Sequence, residues 1–276
     1  MTPAQLSRTV LRTVRRVADD GVLGELSPGA LEALTGPRER ITVGRPPRPG
    51  CGDYATNAAL RLAAVTGRPA RSVAEVLRER LVREEGIAGV AVAGPGFLNI
   101  TVAGAARADL VRALAAGDGE SPVAERTDPA RDVRNWAAAT GEEPGPRHLE
   151  QREANPLFLV QYAHARARAL LRGARGLGFG PEAGADGYAY DTPGEQALLG
   201  GLAEYERIAG LDDSGRLARH LEAVADALLG IHGSVLPAGE RKPLAAHRAR
   251  LALAQAAGTV LAGGLSRLGV TAPAHL

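Results

Sequence analysis

Tyr162 and Arg166 stand four residues apart in the stretch Asn155-Pro-Leu-Phe-Leu-Val-Gln-Tyr-Ala-His-Ala-Arg166. That spacing puts an aromatic ring and a guanidinium on one face of a helix. Such a pair suits stacking and the binding of anions or hydrogen-bonding edges. The helix itself is well specified. Asn155 is placed to cap it, and Pro156 falls in its first turn, where a missing N–H is harmless. Val160, Ala163, Ala167 and Leu170 recur at helical spacing and must face a core. Gln161, Arg168, Arg172 and Arg175 line another face with positive character. On residue type alone, an arginine-studded helix in an arginine-rich chain is a solvated face.

Other candidates for chemistry are weaker. Asp212-Asp213 reads as a helix cap, and Glu142-Glu143 lies in a loop without a partnering histidine or metal pattern. Ser214, Ser234 and Ser266 lack the strand-turn-helix setting of a nucleophile. Gly94-Pro-Gly96 is not followed by the Lys-Ser or Lys-Thr of a phosphate cradle. No catalytic residue, cofactor or metal is expected. The one cysteine, Cys51, excludes an internal disulfide and a cysteine zinc site.

The 276 residues give room for two ordinary domains, and a hydrophobic fraction of 45% fits folded protein. Net charge is only +2, yet of the 33 basic residues all but Lys242 are arginine, a bias that base composition alone can produce. No apolar run reaches the length of a membrane span, and Met1-Thr-Pro-Ala-Gln5 lacks the apolar stretch of a signal peptide. A soluble, cytoplasmic protein that does not engage membranes is expected.

In chain order, Thr2-Pro-Ala-Gln5 is a capping box, and Leu6, Val10, Val14 and Val17 then fall opposite Arg8, Arg12, Arg15 and Arg16. A short helix is expected between Ser27-Pro28 and Gly36-Pro37. A strand near Ile41–Val43 runs into the loop Arg45-Pro-Pro-Arg-Pro-Gly50. Asp53 is placed to cap a helix over the following alanine-rich run, and Ser72-Val-Ala-Glu75 to open another with Val73, Val76, Leu77 and Leu81 inward. Strands over 87–92 and 97–102 flank Gly94-Pro-Gly96. The alternation puts Leu98, Ile100 and Val102 on one face and Phe97, Asn99 and Thr101 on the other. Residues 103–116 form an alanine-rich helix, after which linker composition sets in, with one more helix over Arg131–Trp136. Further helices are expected after Thr192, a capping box with Glu195, after Asp213, and from about Pro243 to Leu268.

Two blocks of this sequence resemble arginyl-tRNA synthetases. Gly-Asp-Tyr-Ala-Thr-Asn-Ala-Ala at 52–59 and Gly-Pro-Gly-Phe-Leu-Asn at 94–99 resemble the additional N-terminal domain of that family. The stretch Asn155–Arg166 resembles the first helix of its anticodon-binding domain, and Ala249–Leu253, Gly264–Gly269 and Ala272-Pro follow its closing helix. The resemblance implies an α+β N-terminal domain, a small antiparallel sheet with helices, over 1–116. It implies a linker over 117–146 and an all-α DALR-type anticodon-binding bundle over 147–276. It also implies that Phe97 and Asn99 meet a base of the tRNA D-loop and that Tyr162 and Arg166 meet the anticodon loop, with Arg168 and Arg172 as supporting phosphate contacts. The residue types suit those roles, since aromatic faces stack unpaired bases and guanidinium groups bind phosphate. The sequence departs from the family at Leu229-Gly230, where an aromatic pair is common, and at Ala274-His-Leu276.

The family's ATP-handling motifs, a His-x-Gly-His turn and a two-lysine Lys-Met-Ser-Lys type loop, are missing from these residues. With Lys242 the sole lysine, the loop cannot be built. Adenylate formation needs cations fixed against the phosphates. The sequence is therefore read as a non-catalytic paralogue that binds tRNA, with tRNA-Arg the natural candidate. A second reading is an interaction module that docks on an authentic synthetase or another protein. A third is a component of arginine–tRNA ligation acting in trans.

Overall fold

The structure is a computed structural model that describes residues 1–24, 29, 34, 41–46, 48, 50–117, 128–239 and 242–276. It divides into two compact units, Met1–Ala106 and Arg107–Leu276.

The first unit opens with α1 (Pro3–Asp19), started by the capping box read in the sequence: Thr2 accepts from the Gln5 amide, and the Gln5 side chain accepts from the Thr2 amide. Leu6, Val10, Val14 and Val17 are buried, while Arg12 and Arg16 both reach Glu84, at 2.6 and 2.9 Å. The helix expected between Ser27 and Pro37 lies outside the described residues.

Four antiparallel strands follow: β1 (Val43–Gly44), β2 (Tyr54–Thr56), β3 (Ile87–Ala93) and β4 (Phe97–Val102), in the order β1-β2-β4-β3. Asp53 is not a helix cap. Its amide donates to the Ile100 carbonyl (2.9 Å) and its carboxylate accepts from the Val102 amide (2.7 Å), so it ties the start of β2 to β4. Gly52 permits this approach, with φ at +90° and room for only a hydrogen, since a Cβ would sit 2.9 Å from the Ile100 oxygen. The helix behind, α2 (Ala58–Thr66), starts instead from Asn57, which makes no side-chain cap bond.

The expected capping box at Ser72 and Glu75 is also overturned. Helix α3 (Ala70–Leu81) begins three residues earlier, because the Val73 amide closes the first turn on the Pro69 carbonyl (3.2 Å) and Glu75 pairs with Arg78 (2.6 Å). Its inward residues Val73, Leu77 and Leu81 are buried as the spacing predicts. They pack with α1, α2 and the inner face of the sheet in one hydrophobic core.

The second unit is helical among its described residues: α4 (Gly104–Ala116, from Arg107 onward), α5 (Pro129–Thr140), α6 (Pro156–Gly176), α7 (Pro193–Ala209), α8 (Ser214–Ile231) and α9 (Ala245–Arg267). Asp128 caps α5, Thr192 and Glu195 box α7, and Asp213 caps α8. Helix α9 is buried almost all round, from Ala249 to Leu265, and so forms the centre of this unit's core. The α+β followed by all-α organisation read in the sequence is thus present.

Candidate nucleic-acid interface

On β4 the side chains of Leu98, Ile100 and Val102 are buried, which turns Phe97 and Asn99 to the opposite face of the sheet. Their neighbours there are small: Asn99 sits between Ala55 of β2 and Ala91 of β3, and Phe97 pairs with Ala93. Small neighbours leave space above the sheet. The result is a cleft of about 510 Å³, lined by Phe97, Asn99 and Asn57 together with Arg45, Arg48 and Cys51 from the segment before β2. Phe97 remains 42% exposed, an unusual state for a large aromatic side chain inside a packed domain. The cleft therefore offers a ring face, a side-chain amide and two exposed guanidinium groups. These match the π face, hydrogen-bonding edge and phosphates of an unpaired nucleotide. The pairing of Phe97 with Asn99 is legible from strand period, but Arg45, Arg48 and Asn57 are additions that the sequence does not place.

In the second unit, Val160, Ala163, Ala167 and Leu170 of α6 are buried as expected. Asn155 stands at the cap position, but its side chain makes no cap bond. Its amide group donates instead to the carbonyls of His148 (2.9 Å) and Glu150 (2.8 Å), fixing the turn that leads into the helix. Tyr162 stacks on Phe158, with ring centroids 5.6 Å apart and planes 16° from parallel. One turn on, Arg166 is half-buried, and its Nε is fully buried without a hydrogen-bond partner. A buried unsatisfied donor on a guanidinium is uncommon and calls for an explanation.

The positive face expected from Gln161, Arg168, Arg172 and Arg175 is not continuous. Gln161 donates to Asp132 (3.1 Å) and to the Thr271 carbonyl (3.0 Å), and Arg172 donates to the Ala274 carbonyl (3.3 Å) and meets His275 (3.3 Å). Residues 271–275 thus run along that face. Arg168 and Arg175 stay exposed. Asp132, only 2% exposed, organises the arrangement by accepting from the amide and hydroxyl of Thr271, both at 3.0 Å. His164 joins it through its Nδ1, which donates to the Pro273 carbonyl at 2.8 Å. Burial lowers the His164 pKa, with the Pro273 bond opposing and Arg168 assisting.

A second buried carboxylate, Glu195, accepts from Arg250 (2.6 Å), Tyr188 (2.8 Å) and the Thr192 amide (3.0 Å). Burial pushes its pKa up, but these hydrogen bonds outweigh burial and lower it. The sequence reveals the Thr192–Glu195 box and gives no sign of Arg250. Among the described residues no group of three or more His, Cys, Asp or Glu is placed to hold a metal ion. Ser214 and Ser234 donate to backbone carbonyls, and Glu142 pairs with Arg147 and His148.

Comparison with known proteins agrees with this two-part layout. Residues 25–102 match the arginyl tRNA synthetase N terminal domain, and residues 160–276 match the DALR anticodon binding domain. An arginine–tRNA ligase of Frankia alni is 42% identical over 114 residues, which are 41% of this chain and 19% of that protein. The chain thus spans about a fifth of the length of this curated relative. The solved Thermus thermophilus arginyl-tRNA synthetase aligns with a TM-score of 0.41 at 24% identity, covering 62% of this chain and 31% of the other. The chain thus carries two domains of the arginyl-tRNA synthetase family, its N-terminal domain and its DALR domain, with residues 103–159 between the two matches. Among the described residues no helix is long and apolar enough to cross a membrane.

Proposed function

We propose that this chain binds tRNA without aminoacylating it, as a cytoplasmic paralogue built from an N-terminal module (1–116), a linker (117–146) and an anticodon-binding module (147–276). The observation that carries the reading is the pair on α6: a stacked, partly exposed Tyr162 one turn from a partly exposed Arg166. An anticodon-loop base stacks on the open face of Tyr162 and sets an oxygen acceptor against the accessible end of the Arg166 guanidinium. Phe97 and Asn99, in their cleft, take a D-loop base, with Arg45 and Arg48 toward the flanking phosphates. Arg168 and Arg172 add phosphate contacts near α6. The missing lysine loop and His-x-Gly-His turn support a non-catalytic role, and tRNA-Arg is the preferred species.

Fluorescence anisotropy with tRNA-Arg tests this. The double variants Phe97→Ala/Asn99→Ala and Tyr162→Ala/Arg166→Ala should each weaken binding about tenfold or more, as loss of a stacked base does. Unchanged affinity in both would remove the reading. One observation favours a second reading, docking on a protein such as an authentic synthetase: Gln161 and Arg172 are occupied by residues 271–275, which leaves less free positive surface for RNA.

A further inference from the structure

On the side of α6 away from Tyr162 lies a second, smaller cleft of about 340 Å³, whose chemistry is unlike that of the sheet cleft. At 3.6 residues per turn, His164, Ala167, Arg168 and Leu171 share a face roughly opposite Tyr162. These four form one wall. Gln255, Gly258 and Thr259 of α9 form another, and Ala115 to Gly117 at the end of α4 close it.

The polar groups in it are defined by what they do elsewhere. His164 is only 4% exposed. Its Nδ1 meets a carbonyl, which can only accept, so Nδ1 carries the proton and Nε2 holds a lone pair. Burial lowers the pKa of this ring and so favours its neutral form. Nε2 has no hydrogen-bond partner among the described residues, and the ring lines the cleft. Arg168 is exposed at the same wall, with no ion-pair partner among the described residues. Gln255 and Thr259 each offer a donor and an acceptor. Ala115, Ala116, Gly117, Ala167 and Gly258 in the lining are small, which leaves room.

A ligand for this cleft must bring an anion for Arg168 and, a few ångströms away, an O–H or N–H for a buried acceptor. We infer that the cleft binds the phosphate and ribose of a single nucleotide, with phosphate on Arg168, the ribose 2′-hydroxyl donating to His164 Nε2, and Gln255 and Thr259 completing the hydrogen bonds. A cavity of this volume lies at the lower end of small-ligand sites and holds one nucleotide, not several. Free nucleotides and one nucleotide of a bound RNA strand share this chemistry. The inference shares Arg168 with the tRNA reading but is tested without tRNA, so AMP binding can fail while tRNA binding holds, and the reverse.

The test is calorimetric titration of the whole chain with AMP, 2′-deoxy-AMP and ribose 5-phosphate. AMP and ribose 5-phosphate should bind saturably, and Arg168→Gln should weaken both at least about tenfold, as loss of a charge-assisted contact does. Two substitutions separate fold from site. His164→Asn keeps a donor for the Pro273 carbonyl but has no acceptor at the Nε2 position, whereas His164→Gln keeps an acceptor there. AMP binding should fall several-fold in His164→Asn and be largely kept in His164→Gln, and in His164→Asn the preference for AMP over 2′-deoxy-AMP should vanish. A short unstructured oligoribonucleotide that displaces AMP identifies an RNA strand as the source, and failure to displace it identifies a free nucleotide. No saturable AMP binding up to about 10 mM, beyond which affinity is negligible, or binding indifferent to both Arg168→Gln and His164→Asn, overturns the inference.

Discussion

Tyr162 lies nearly flat on Phe158, one helical turn before it, with ring centroids 5.6 Å apart and planes at 16°. The contact sets the tilt of the ring that a base would have to meet, so Phe158 acts on binding through Tyr162. Tyr162→Phe, which keeps the ring, should change tRNA affinity by less than about threefold, and Tyr162→Ala by tenfold or more, the usual measure of a lost stack. Phe158→Ala should fall between them in the same anisotropy assay. Equal losses for Phe and Ala at position 162 would mean that the hydroxyl, not the stack, is what matters.

Arg166 is held in a state that folding alone does not favour. Its Nε is buried without a partner. Replacing it by Met keeps the apolar stem and removes the unsatisfied donor, so Arg166→Met should stabilise the chain by about 1 kcal/mol in urea unfolding. The same variant should bind tRNA more weakly. A loss of stability in Arg166→Met would show that the guanidinium serves packing in the free protein.

His164 and His220 both have their pKa lowered by burial. A group that resists protonation when folded contributes stability that is complete above its unfolded pKa, about 6.5, and is lost as pH falls through the folded value. Unfolding free energy should therefore decline as pH is lowered from 6.5. His164→Asn, which keeps a donor to Pro273, should flatten part of that decline, and a pH series of chemical melts reads it directly.

Glu195 gives a separate handle on α7 and α9. It is 1% exposed and held by Arg250, Tyr188 and Thr192, which lower its pKa against the opposing effect of burial. The stability it contributes is present above the unfolded carboxylate pKa, near 4.3, and is lost as pH falls through the lower folded value. Glu195→Ala should destabilise the second unit by about 3 kcal/mol, because it leaves Arg250 Nε, the Tyr188 hydroxyl and the Thr192 amide without their shared acceptor. Thermal unfolding followed by circular dichroism measures it, and a change within about 0.5 kcal/mol, as at ordinary surface sites, would contradict it.

Much of this site is legible in the sequence wherever a local period decides the outcome. Two-residue alternation on β4 separates Phe97 and Asn99 from the core, and the 3.6-residue period on α6 separates Tyr162 and Arg166 from Val160, Ala163, Ala167 and Leu170. The failures come from competition or distance. At Ser72 a good capping signal loses to Pro69, which starts the helix first. At Asp53 a cap residue is taken by the ladder to Val102, 49 positions away. The face of Gln161 and Arg172 is filled by residues more than 100 positions later, and no periodicity within α6 can announce that. The same holds for Arg45 and Arg48, which reach the Phe97 cleft only because β1 pairs with β2.

The most direct test of tRNA binding is the affinity of the chain for tRNA-Arg and for an unrelated structured RNA of equal length, each across a salt series. The account predicts tighter binding of the tRNA at every salt concentration. It also predicts a log–log salt slope that falls when Arg45, Arg48 and Arg168 are replaced by Gln, and the loss of the tRNA preference in Tyr162→Ala/Arg166→Ala. Equal affinity for the two RNAs, unchanged by the Tyr162→Ala/Arg166→Ala variant, would contradict it.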